Sequence, residues 1–204
     1  IAQYLLQSKA IKLEPSSPFT WASGWKSPIY CDNRITLSFP DIRRFIRDAF
    51  AELINEKFTK PDVIAGVATG AIAQGALVAE AMNLPFVYIR SSAKSHGMEN
   101  LVEGKLEKNQ KVVVVEDLVS TGGSSLKAVD ALRKQGVEVL GMTAIFTYGF
   151  PLAEENFKKA ECELFTLSNY KVLIDEAIKE GYVIESDLEV LMEWRKDPSN
   201  WKKQ

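Results

Sequence analysis

The run of four valines at 112–115 constrains the fold most, because it leads directly into two acids and then into a segment of hydroxyl residues and glycines. Valines favour strands, and a run that is apolar on both faces is typical of a strand covered by helices on both sides. Apolar runs predict strands at 62–67, 86–90, 111–116, 137–147 and 163–167. Amphipathic segments predict helices at 2–8, 41–56, 71–82, 124–134, 152–159, 170–180 and 186–195. This alternation predicts an α/β domain with a mainly parallel sheet flanked by helices.

Composition excludes several classes of protein. The net charge of the 204 residues is −2, so we expect no nucleic-acid partner. No apolar run reaches the roughly 18 to 20 residues that cross a bilayer, so we expect no membrane partner. Cys31 and Cys162 lie far apart and form no metal-binding spacing, which indicates a reducing, cytoplasmic location.

Ligands of parallel sheets usually bind at the carboxyl ends of the strands. Three segments follow predicted strands here: GVATGAIAQGA at 66–76, YIRSSAKSHG at 88–97 and EDLVSTGGSS at 116–125. We therefore expect these three segments to form one site.

The segment STGGSS at 120–125 can hold a phosphate. Gly122 and Gly123 let the backbone wrap closely around an anion, and a helix that begins there adds its N–H groups. Its hydroxyl donors are Ser120, Thr121, Ser124 and Ser125. The alternative is a simple helix cap, for which one hydroxyl would suffice.

The adjacent acids Glu116 and Asp117 would repel a phosphate unless they face something else. Carboxylates accept hydrogen bonds well from the vicinal hydroxyls of a sugar, and they stabilise positive charge on it. The alternative is a solvated strand end. The order of strand, acid pair and hydroxyl-glycine loop favours a sugar-phosphate site.

A polar stretch holds three basic residues within a window of seven positions: Arg90, Lys94 and the single histidine, His96. Their spacing does not match a metal site. It indicates a cationic lid that closes on a polyanion and excludes water. The alternative for the whole stretch is a solvated hairpin.

The acid pair and its loop resemble the phosphoribosyl pyrophosphate (PRPP) motif of type I phosphoribosyltransferases. The polar stretch resembles the orotate phosphoribosyltransferase loop Tyr-x-Arg-Lys-x-x-Lys-x-His-Gly, with matches at Tyr88, Arg90, Lys94, His96 and Gly97. Ser91 replaces a lysine that many members carry.

The segment FTWASGWKSPIYCDNR at 19–34 resembles the family's base-proximal pattern FT-x-x-SG-x-x-SP. Ala22 replaces a lysine found in some members, for which Lys26 is a nearby substitute. The segment IFTYGFP at 145–151 lacks the arginine that contacts orotate in some members.

The resemblance implies a type I phosphoribosyltransferase fold in one domain spanning 1–204. Residues 60–150 would form the PRPP-binding core, and 1–40 with about 165–204 a hood over the base. It also implies Mg²⁺-dependent transfer of the 5-phosphoribosyl group from PRPP to N1 of orotate in pyrimidine biosynthesis. A homodimer would share the 91–104 loop between subunits.

The resemblance implies residue roles as well. The catalytic residues would be Arg90, Lys94, His96 and Asp117. PRPP would contact Thr69, Gly70, Arg90, Lys94, His96, Glu116, Asp117, Leu118, Val119, Ser120, Thr121, Gly122, Gly123 and Ser124. Orotate would contact Ser120, Lys26 and Tyr30. PRPP itself would hold most of the Mg²⁺ coordination, which leaves Asp117 as the candidate protein contact.

Two alternatives stay open. One is a phosphoribosyltransferase for a purine base, although such enzymes generally lack the Lys-x-His-Gly arrangement. The other is a non-catalytic, PRPP-sensing regulator of gene expression, which should carry a basic surface that this sequence does not show.

Overall fold

The computed structural model describes residues 1–21, 23–92 and 101–202. The helices are α1 (Ala2–Gln7), α2 (Pro40–Lys57), α3 (Ile72–Met82), α4 (Gly123–Lys134), α5 (Pro151–Lys159), α6 (Tyr170–Lys179) and α7 (Leu188–Lys196). The strands are β1 (Ile11–Leu13), β2 (Phe19–Thr20), β3 (Lys26–Ser27), β4 (Ile29–Cys31), β5 (Val63–Val67), β6 (Phe86–Ile89), β7 (Val102–Glu103), β8 (Lys111–Val119), β9 (Glu138–Thr147) and β10 (Leu164–Asn169). Two 3-10 helices span Asn33–Ser38 and Glu185–Asp187.

The central sheet has six strands in the order β10-β9-β8-β5-β6-β7. All neighbouring strands are parallel except β7, which is antiparallel to β6. Strand β8 lies inside the sheet, where Val63 of β5 pairs with Val112. The prediction of an α/β fold with a mainly parallel sheet is confirmed.

The valines of β8 divide between two hydrophobic clusters. Val113 and Val115 join the cluster that contains the buried residues of α2 and α3. Val112 and Val114 join the cluster that contains those of α4 and α5. All four are fully buried, and burial of one such side chain stabilises by about 1.5 to 3 kcal/mol. The valine run therefore anchors helices to both faces of the sheet.

Two small antiparallel pairs, β1 with β4 and β2 with β3, lie outside the central sheet. Strands of two or three residues carry too short a pattern to be recognised, and the sequence analysis did not predict them. The C-terminal part of the chain meets this region through Trp194, whose ring packs edge-on against Trp21.

Two boundaries change how the site is understood. Strand β8 continues to Val119 instead of ending at residue 116, so Glu116 and Asp117 lie within the strand. Strand β7 was also not predicted. It pairs with β6, and the Arg90 amide donates to the carbonyl of Leu101 at 2.8 Å. The two described ends of the proposed lid are thus tied to the sheet.

Of the helices in the described part of the chain, none combines the length and apolar character that crossing a bilayer requires.

Gly66 on β5 lets the chain turn tightly into α3. A Cβ atom at Gly66 would lie 2.7 Å from the Ala71 carbonyl oxygen, a backbone atom that cannot easily move. At Gly123 no described atom lies within 4 Å of such a Cβ. The first glycine is required by packing and the second is not.

We expect Gly66→Ala to lower the free energy of unfolding by about 1 to 3 kcal/mol, because the added methyl group overpacks the turn. Gly123→Ala is the matched control, since it adds the same methyl group to open space and should not lower stability. Urea unfolding of both variants measures this difference. Equal stability of the two would contradict the steric explanation.

Candidate functional site

The loop after β8 leaves the start of α4 open to an anion. Gly122 is the N-cap residue of α4 and has a positive φ of 82°, a conformation that glycine adopts without strain. Among the described residues, no side chain caps the first turn. The simple-cap alternative is therefore wrong. The first N–H groups of a helix lack intrahelical partners, so they remain suited to a phosphate.

Ser125 does not serve as one of the phosphate donors. Its hydroxyl is buried and donates to Oε2 of Glu116 at 2.8 Å. The amide of Asp117 donates to the other carboxylate oxygen, Oε1, at 3.0 Å. Both oxygens of Glu116 are thus engaged inside the protein, and the side chain is only 5% exposed.

Burial raises the pKa of Glu116 well above its ordinary value, and the charge of Asp117 raises it further. The hydrogen bond from Ser125 lowers the pKa and partly offsets these effects. A shift of this kind marks a candidate functional carboxyl group, because a protein rarely buries an acid without need.

Asp117 points to the opposite face of β8, as strand alternation requires. Its carboxyl group lies against Gly70, where a Cβ atom would come within 2.1 Å of Oδ2. Gly70 follows Thr69, whose peptide bond with Ala68 is cis. The backbone carbonyl of Asp117 accepts from Nδ2 of Asn33 at 2.6 Å. The structure thus joins the predicted 66–76 and 116–125 segments at Asp117 and Gly70.

The STGGSS segment at 120–125 is the candidate phosphate loop, and a cavity of about 300 Å³ lies beside it. Its lining residues are Thr20, Trp21, Tyr30, Cys31, Leu118, Ser120 and Tyr148. Aromatic and apolar walls with a few hydroxyl groups suit a flat polar ring, so the cavity is named the ring pocket. The predicted residues Tyr30 and Ser120 both lie in this pocket. Lys26 is not a lining residue, but its Nζ donates to Oγ1 of the lining residue Thr20 at 3.0 Å.

Several pocket residues were missed by the sequence analysis. Thr20, Trp21 and Cys31 lie within the quoted 19–34 segment, so their association with the base was a usable signal. Tyr148 follows β9 and lies within the quoted 145–151 segment, which was examined only for an arginine, so the tyrosine was passed over.

Arg90 directly follows β6, at the base of the proposed lid. Its Nη1 lies 3.5 Å from Oε1 of Glu103, and both side chains are 28% exposed. Glu103 was not predicted as a partner of Arg90. Lys94, His96 and Gly97 lie outside the described residues, as does Ala22, so their roles stay predictions.

The residues that the structure describes form no cluster of three or more histidine, cysteine or acidic side chains suited to a metal. Mg²⁺ often binds through one or two carboxylates and the phosphates of a substrate. Asp117 offers one carboxylate of this kind, and its carboxyl group lies beside Gly70.

Comparison with known proteins gives concordant results. The phosphoribosyl transferase domain family matches residues 37–180. Orotate phosphoribosyltransferase of Phocaeicola vulgatus is 62% identical over 98% of this chain and 95% of its own length. The protein of the same name from Bacteroides thetaiotaomicron is 62% identical over 98% of this chain and 94% of its own length. The crystal structure of orotate phosphoribosyltransferase from Aeropyrum pernix superimposes with a TM-score of 0.78 at 27% identity, covering 90% of this chain and 99% of that one.

We expect the raised pKa of Glu116 to make stability depend on pH. A glutamate in the unfolded chain has a pKa of about 4.3, so above that pH the folded state binds more protons than the unfolded state. Stability contributed by this group is therefore complete below about pH 4.3 and falls as the pH rises toward the folded pKa. Glu116→Gln removes the titration, so the variant should gain stability relative to the parent between pH 4.5 and 7.5, with a limit of about 1.4 kcal/mol per pH unit.

Urea unfolding at the two pH values measures this gain. Between the same two pH values Ser125→Ala should lose more stability than the parent, because it removes the donor that favours the charged carboxylate of Glu116. Asp130→Asn, which changes an exposed carboxyl group on α4, should follow the parent. The explanation is contradicted if Glu116→Gln and the parent change in parallel.

Proposed function

This chain belongs to the phosphoribosyl transferase domain family as an orotate phosphoribosyltransferase, and we propose that it transfers the 5-phosphoribosyl group of PRPP to N1 of orotate. The products are orotidine 5′-monophosphate and pyrophosphate, and the step belongs to pyrimidine biosynthesis. In this proposal the STGGSS loop at 120–125 binds the phosphate and the cavity binds the ring, and the two meet at Ser120.

The shared position of Ser120 is the observation that carries this proposal. Ser120 lines the ring pocket and also begins the STGGSS loop that leads into α4. A ligand that occupies both places needs a planar ring and a phosphate separated by a sugar, which is the shape of a nucleoside monophosphate. In this proposal residues 60–150 bind PRPP, while 1–40 and about 165–204 cover the base.

The reaction needs no protein nucleophile. N1 of orotate releases its proton to solvent and forms a bond to C1′ of the ribose. The bond from C1′ to the pyrophosphate oxygen breaks, and its electron pair leaves with pyrophosphate. Positive charge develops on the ribose, and the carboxylate of Asp117 stabilises it electrostatically. Glu116, which is held by Ser125, accepts a hydrogen bond from the Asp117 amide and so orients Asp117.

Cations neutralise the leaving group in this proposal. Arg90 directly follows β6 and lies beside Glu103. To bind pyrophosphate, it must leave Glu103. Lys94 and His96 follow it in sequence and supply further positive charge when the lid closes, with His96 as the proton donor. Mg²⁺, when bound with PRPP, adds Lewis-acid stabilisation of the pyrophosphate charge, and Asp117 is its candidate protein contact.

We also propose a cytoplasmic homodimer in which the 91–104 loop of each subunit serves the other subunit's site. The location rests on Cys31 and Cys162, which are both free thiols in the structure. The sharing of the loop rests on the family resemblance of its Lys-x-His-Gly arrangement.

The activity is tested by mixing the purified protein with PRPP, Mg²⁺ and orotate and following the loss of orotate absorbance. We expect loss only when all three are present, with release of pyrophosphate. Addition of a chelator in excess of Mg²⁺ should stop it. Orotate that stays unchanged, in a protein that still binds PRPP, would contradict the assignment.

We expect Lys94→Ala to lower kcat by about 100- to 1,000-fold, the effect typical of removing one donor to developing charge. Its unfolding free energy should stay within about 0.5 kcal/mol of the parent. Lys105→Ala removes the same charge from an exposed position just after the 91–104 loop and should leave kcat unchanged. Unchanged turnover in Lys94→Ala would refute the role of this lysine.

A further inference from the structure

An arginine from the C-terminal helix α7 holds one wall of the ring pocket. Nε of Arg195 donates to the carbonyl of Tyr148 at 3.0 Å, and Nη2 donates to the carbonyl of Gly149 at 2.7 Å. The planar guanidinium presents its donors in a fixed arrangement, so two successive carbonyls are held in one orientation. Tyr148 is a lining residue of the pocket.

The turn that Arg195 contacts is also tied to the phosphate loop. The Gly149 amide donates to Oγ1 of Thr147 at 3.1 Å, and that hydroxyl donates to the carbonyl of Val119 at 3.0 Å. Val119 directly precedes Ser120, which belongs to both parts of the site. A short chain of hydrogen bonds thus links α7 to the point where the ring and phosphate sites meet.

The residue beside Arg195 fixes the same wall by packing. Trp194 is fully buried, and its ring lies 5.6 Å from the ring of Tyr148 and 5.6 Å from that of Trp21. Both of these aromatic residues line the pocket. Helix α7 therefore contacts two walls of the pocket without lining it.

We propose that Arg195 is a positioning residue for the pyrimidine, which rests on the proposed function and assigns a residue to its base specificity. The segment after β9 has no arginine of its own, and α7 supplies one that reaches the backbone of that segment. Through these two carbonyls Arg195 fixes the backbone at Tyr148, whose side chain lines the pocket. Arg195 binds the carbonyls of Tyr148 and Gly149, and neither residue is among the predicted PRPP contacts, so we expect the larger effect on orotate.

A matched arginine separates this role from ordinary helix docking. Arg133 also donates to two successive carbonyls, those of Ala160 at 2.7 Å and Glu161 at 2.9 Å. It lies ten residues beyond the start of α4, about 15 Å along the helix axis from the phosphate loop. Loss of Arg133 should affect folding in the same way but leave the pocket unchanged.

The experiment measures steady-state kinetics of Arg195→Met, Arg195→Lys, Arg133→Met and Arg133→Lys. We expect Arg195→Met to raise KM for orotate about 10-fold and KM for PRPP less than twofold, since small misplacement of a binding wall weakens recognition steeply. Arg195→Lys retains one donor direction and should restore part of the affinity for orotate. The Arg133 variants should keep both KM values, whatever their urea midpoints.

The results distinguish the two levels of the argument. A parent protein without orotate-dependent turnover overturns the proposed function, and the role of Arg195 falls with it. An active parent whose Arg195 variants change both KM values by the same factor, or neither, overturns only the positioning role. Arg195 variants that do not fold, beside Arg133 variants that do, show a structural role and overturn it equally.

Discussion

The alternation of side chains along β8 is the constraint on which the site depends. Strand β8 carries Glu116 and Asp117 on opposite faces, so one acid faces α4 and the other faces the start of α3. Parallel pairing with β5 and β9 brings the loops after these three strands to one edge of the sheet. The site is therefore a consequence of the position of β8 inside the sheet.

The buried carboxyl group of Glu116 couples the acid pair to the phosphate loop. Its burial is unfavourable, and hydrogen bonds from Ser125 and from the Asp117 amide offset that cost. Ser125 lies in the first turn of α4, so the carboxyl group holds the start of that helix in place. The first N–H groups of α4 are thereby held in a fixed position.

Local sequence patterns predicted the parts of this structure that local interactions determine. The valine run predicted β8, and the STGGSS segment predicted a helix that begins within it, because both signals lie within a few residues. The strands of the small antiparallel pairs are too short to give a periodic signal. Tyr148 and Arg195 are 47 residues apart, and no pattern in the sequence connects them, so only the folded chain shows that they meet.

The two halves of the site differ in how the chain builds them. The proposed anion site lies between β8 and α4, which are adjacent in sequence, and sheet pairing fixes β8. The ring pocket needs Trp21 near one end of the chain, Tyr148 after β9, and α7 near the other end. Side-chain contacts hold α7 there. The pocket therefore depends on contacts between distant parts of the chain, whereas the start of α4 depends on one strand and the helix that follows it.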